Sequence, residues 1–119
     1  MKLCSGLFVG WGETHPGHEE QAMHLFSEVA AYHGNLIVEG RIGGFEPFVL
    51  AVHGGGLRGF MIIRGTPEQI NTLRYDNEFI GYVARGQMLL NDFGVVELYF
   101  GEELGEVLKL YEQQIAAVA

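Results

Sequence analysis

The chain has 119 residues, close to the usual size of one domain, and 48% of them are hydrophobic, which excludes a disordered segment and removes any need for a disulfide or metal staple. Fifteen acidic against seven basic residues give a formal charge of −8, and the basic residues are scattered, so no nucleic-acid partner is expected. The single cysteine, Cys4, can form no disulfide within the chain; Met1-Lys2-Leu3-Cys4-Ser5-Gly6 lacks a secretory pattern, and no apolar run approaches the ~20 residues of a membrane helix. The expectation is a cytoplasmic protein with no membrane partner. Without linker, repeat or low-complexity tract, residues 1–119 are expected to form a single domain.

The first strand is expected from Leu3 to about Gly12, with Leu7, Val9 and Trp11 on one face and Gly6, Phe8 and Gly10 on the other. Apolar residues on both faces suit a central strand. Pro16 is read as the first helical position, with Glu19 and Glu20 in the first turn. Ala22, Leu25, Phe26, Val29, Ala30 and His33 then form one helical stripe, and Gly34 is read as its end.

Residues 36 to 52 read as extended, with Pro47 placing the stretch at a sheet edge because proline cannot donate to a ladder. His53-Gly54-Gly55-Gly56 is read as a turn and Leu57 to Arg64 as the returning strand. Thr66, Pro67 and Gln69 spell a capping box, followed by the buried pair Ile70 and Leu73. Asp76 is read as a second cap, opening a short helix that turns Phe79, Ile80 and Val83 inward. Gln87 to Phe100 is expected as a last strand bent at Asn91 to Gly94. A final helix from Glu102 to about Ala117 carries Leu104, Val107, Leu108, Tyr111 and Ile115 on one face. The order is α+β, a ferredoxin-like βαββαβ with an extra C-terminal helix.

The segment from Phe45 to Gly65, the opening Val9-Gly-Trp-Gly and His15-Pro-Gly-His18 before a helix together resemble uncharacterised members of the dimeric α/β-barrel (ferredoxin-like) superfamily. That resemblance implies two ferredoxin-like sheets packed face to face, with the helices outside. The superfamily holds cofactor-free monooxygenases, isomerases, haem-binding enzymes and proteins without known activity, so the resemblance names no reaction. The residues favour self-association independently. Phe8, Phe60, Ile62, Met61 and Ile63 supply bulky apolar groups to both faces of neighbouring strands, and burying such a face stabilises by roughly 25 cal/mol per Å2 before association costs.

No spacing identifies a catalytic set. His15 and His18 with Glu19 and Glu20 are too loosely spaced for a metal centre, and neither a metal nor a cofactor is expected. Cys4 stands beside no histidine, Ser5, Thr14 and Thr66 lie in no nucleophile elbow, and the glycine runs are not dinucleotide fingerprints. Arg41, Arg58, Arg64 and Arg85 lie in or beside strands near Glu39, Glu46 and Glu97, as exposed ion pairs would. The expected role is a homodimer binding a small apolar or aromatic ligand between sheet and first helix, in a pocket lined by Trp11, Phe26, His33 and His53. His33 and His53 are the candidate general bases should it be an enzyme of the monooxygenase, isomerase or haem-linked kind. The competing expectation is a non-catalytic dimerisation or regulatory module with a packed interior.

Overall fold

Strict alternation along residues 5–11 decides which side of the sheet the helices cover. The computed structural model describes residues 5–119; the reading of Cys4 lies outside them. In chain order the elements are β1 (Ser5–Trp11), α1 (Glu19–Val38), β2 (Gly44–Val49), β3 (Gly59–Gly65), α2 (Pro67–Arg74), α3 (Asn77–Leu89), β4 (Gly94–Tyr99) and α4 (Gly101–Val118). The sheet has four strands in the order β2-β3-β1-β4, and every neighbouring pair is antiparallel. This is the ferredoxin-like arrangement, with helical crossovers from β1 to β2 and from β3 to β4.

Opposed residues of an antiparallel pair share a face, so the register sorts the side chains. Leu7 opposes Ile63 and Val9 opposes Met61. With Leu25, Val29 and Leu36 of α1, Ile70 and Leu73 of α2 and Phe79 of α3, they form the core on the helix side. The opposite face carries Phe8 against Ile62 and Val96, and Phe48 against Phe60. Phe60 stacks on Phe8 at 5.1 Å and on Phe48 at 4.8 Å between ring centroids. Pro47 lies in β2, an edge strand, as its missing N–H requires.

The capping box forms as the sequence reads. Gln69 N–H donates to Thr66 Oγ1 and Thr66 N–H donates back to Gln69 Oε1, with Pro67 at the first helical position. Asp76 caps α3 by accepting from Glu78 N–H.

β2 and β3 are shorter than the stretches read as extended, Gly44–Val49 against 36–52 and Gly59–Gly65 against a start at Leu57, and three helix boundaries differ as well. Pro16 precedes α1 in a turn closed by His18 N–H donating to His15 O, and the helix begins at Glu19. Its end is not Gly34 but Val38, so Leu36-Ile37-Val38 is helical rather than extended. Leu36, 2% exposed, is held by the core, and that packing outweighs both the interior glycine and the β-branched pair. Gly40, at φ +73°, terminates the helix instead, with Gly40 N–H donating to Ile37 O and Arg41 N–H to Leu36 O. In α3 the helix continues to Leu89, so the last strand starts at Gly94 rather than Gln87; Ile80 faces solvent, 48% exposed.

The final helix is present and meets the sheet at its first turn, where Ser5 Oγ donates to Glu103 Oε2 at 2.9 Å. α4 buries none of its residues, and Leu104, Leu108, Tyr111 and Ile115 of its apolar stripe are all exposed. The radius of gyration is 16.2 Å, against about 13.5 Å expected for a compact chain of this length.

Candidate functional site

The helix face of the sheet does not close completely under α1 and α3. A cavity of about 390 Å3 remains, bounded by β1 and β3 below, α1 and α3 above and the α3–β4 connection at one side. Val9 and Met61 form its floor; Phe26, Val29, Phe79, Tyr82 and Val83 line it from the helices; Leu90 and Phe93 close the side. Polar groups are few: Thr14, Glu19, Arg58 and His33, with the Tyr82 hydroxyl, which donates to Glu78 Oε2, and the Trp11 indole N–H. Arg58 is occupied, donating to Glu13 Oε1 at 2.8 Å and to Gly55 O at 2.6 Å.

Trp11, Phe26 and His33 come together in this wall. Trp11, ending β1, meets Phe26 of α1 edge to face at 6.4 Å. The Trp11 ring lies on the backbone of Gly59, where an added Cβ would stand 2.5 Å from the indole. Phe93 lies on Gly86 in the same way, at 2.6 Å. His53 is elsewhere. Its Nε2 bonds with Leu57 O at 2.6 Å and its Nδ1 accepts from Gly55 N–H at 3.1 Å, so it organises the 50–58 loop and is not a wall residue.

His33 is the one buried polar side chain of the cavity, 1% exposed. Phe45 stacks on its ring at 4.6 Å, while Tyr32 and Phe79 meet it edge-on. Its Nδ1 lies 2.8 Å from Val29 O. A carbonyl only accepts, so Nδ1 carries the hydrogen, and in the neutral ring Nε2 is an acceptor. That Nε2 is buried without a hydrogen-bond partner. Burial pushes the imidazole below the usual histidine range, opposed by the Val29 bond.

The linkage has a definite sign. The unfolded chain binds the proton more readily, so stability is complete above about pH 6.5 and is lost as pH falls through the depressed folded-state value. Wild-type protein is expected to lose up to about 1.4 kcal/mol per pH unit within that window through this one group. Urea unfolding across pH 8 to 5 should show the slope, and His33→Phe should lack it. Asp76, held below the usual carboxylate range by the hydrogen bond from Arg41, titrates further down and leaves the window clear.

The sequence reading missed the contribution of α3 and its connection, because Gln87 to Leu89 read as strand. All five arginines pair with carboxylates: Arg41 with Asp76 and Glu39, Arg58 with Glu13, Arg64 with Glu46, Arg74 with Glu97 and Arg85 with Glu28. Among the described residues no group of three or more His, Cys, Asp or Glu is placed to hold a metal ion, and no helix is long and apolar enough to cross a membrane.

No family model and no curated protein matches the chain. It is similar to the crystal structure of a protein from Bacteroides fragilis NCTC 9343 that is described as dimeric, of unknown function and of ferredoxin-like fold. The TM-score is 0.58 over 81% of this chain and 96% of that one, at 8% sequence identity. Likeness at that identity is likeness of fold, and with the strand order β2-β3-β1-β4 it shows that this chain is an α+β protein of ferredoxin-like fold with an additional C-terminal helix.

Proposed function

We propose that this protein is a cytoplasmic homodimer that holds a small apolar or aromatic molecule between its sheet and helices α1 and α3. The observation that carries the reading is the cavity of about 390 Å3, within the usual range for small-molecule sites, with an apolar wall around one buried histidine. Such a volume weighs against the alternative of a regulatory module with a packed interior. Binding is favoured over catalysis because neither candidate base has a chemical partner. His33 is bonded to a backbone carbonyl, and both His53 nitrogens are used within their own loop.

Self-association is supported by two apolar surfaces, the Phe8–Phe48–Phe60 face of the sheet and the stripe of α4, and by the dimeric relative in fold. Two such sheets meeting face to face form a dimeric α/β barrel with both cavities on the outer, helical sides.

Trp11 is the only tryptophan and part of the wall, so its fluorescence reports occupancy directly. Small aromatics such as indole and naphthol are expected to shift its emission saturably. Ala22→Trp, placing bulk at a wall position of α1, is expected to weaken binding at least tenfold in calorimetry while the melting curve stays close to wild type. Absence of saturable binding by any of these compounds would refute the ligand reading.

A further inference from the structure

We propose that the cavity selects a neutral aromatic ligand carrying one hydroxyl or N–H donor, seated against Nε2 of His33. This rests on the cavity reading above and names the chemistry of its occupant. The hydrogen of His33 is committed to Val29 O, 2.8 Å away, which fixes Nε2 as an acceptor. That acceptor is buried among Phe45, Phe79 and Tyr32 without a partner, an arrangement that costs free energy until a donor supplies the missing bond.

Water is a poor candidate for that donor. A buried water needs two to four polar partners. Thr14, Glu19 and Arg58 come from the β1–α1 connection, the start of α1 and the residue before β3. The Tyr82 hydroxyl of the wall donates to Glu78 Oε2, Trp11 offers only its indole N–H, and the unpartnered Tyr32 hydroxyl belongs to a residue outside this wall. A hydroxyl on an aromatic ring needs only the one acceptor, and its ring meets Phe26, Val83 and Phe93. Carboxylates are disfavoured. An ionised one has no hydrogen to offer Nε2, Glu19 faces it from the wall, Arg58 is already bonded to Glu13, and the whole chain carries a formal charge of −8. Burial also keeps the ring unprotonated near neutral pH, preserving its acceptor.

The test is a calorimetric comparison of naphthol, methoxynaphthalene and naphthoate with the intact protein at pH 7.5. Naphthol is expected to bind at least tenfold more tightly than its methyl ether, and naphthoate more weakly than either. In His33→Phe, naphthol and the ether are expected to converge within about threefold. Nitrogen-15 NMR of the wild-type imidazole gives a readout independent of the variant's folding: naphthol should move the His33 Nε2 resonance upfield and the ether should not. Equal binding of naphthol and ether to wild type, or a stationary Nε2 resonance in the naphthol complex, would overturn the donor assignment while leaving the cavity reading standing. No binding by any of the three would remove both.

Discussion

Replacing Phe60 by aspartate is expected to reduce the particle mass from twice the 13.2 kDa of one chain to that of a single chain. Phe60 is the middle ring of the Phe8–Phe60–Phe48 stack, on the face of the sheet opposite the core. In a two-fold pairing through this face each substitution is present twice, so two carboxylates enter one apolar interface. An unpaired buried charge costs several kcal/mol, and about 4 kcal/mol already raises a dissociation constant a thousandfold. In the free subunit the same side chain is partly exposed and its charge stays hydrated, while Leu7, Val9, Met61 and Ile63 on the other face are unaffected. Far-UV circular dichroism should therefore still report a folded chain. Leu108→Glu, on the stripe of α4, separates the two surfaces: a monomer here as well assigns the helix to the same interface. Light scattering that finds wild type monomeric at tens of micromolar, or Phe60→Asp still dimeric, would end the proposal.

The parts of this fold that were legible in the sequence are those with a strict local cause. Alternation fixed the faces of β1, proline's missing donor placed β2 at an edge, and Thr66-Pro67-Glu68-Gln69 announced its helix start through reciprocal hydrogen bonds. Illegible were the places where tertiary packing overrode local preference. Leu36-Ile37-Val38 has the composition of a strand, yet Leu36 is gripped by the core and the helix runs on past Gly34. The site divides the same way. Trp11, Phe26 and His33 fall on the inward faces of β1 and α1, so periodicity alone brings them to one wall. His53 has no periodicity to place it, and the glycines after it let the loop fold back so that both ring nitrogens bond locally. The orphaned Nε2 of His33 had no signature in the sequence, because it depends on which carbonyl the other nitrogen found.

One signal was in the sequence and bears on the last prediction. A glycine inside a strand marks a place where another group comes close, and Gly59 opens β3 beneath the indole of Trp11. A Cβ at this position would lie 2.5 Å from the ring and 2.8 Å from the carbonyl oxygen of Phe48. The ring has torsions about which to retreat; the carbonyl belongs to the backbone of the paired strand β2 and does not. Gly59→Ala must therefore both displace Trp11 and strain the β2–β3 ladder, and overpacking of that kind costs about 1–3 kcal/mol. Gly59→Val adds two further methyl groups to the same space and is expected to exceed that range. Because the displaced ring is part of the cavity wall, the alanine variant should also show altered tryptophan emission and at least tenfold weaker binding of naphthol. Gly86→Ala, whose added Cβ would meet the Phe93 ring at 2.6 Å, perturbs a second wall residue and should also weaken binding of naphthol. A Gly59→Ala protein with wild-type stability, emission and affinity would mean that the indole does not rest on the strand, and the wall described here would have to be rebuilt without it.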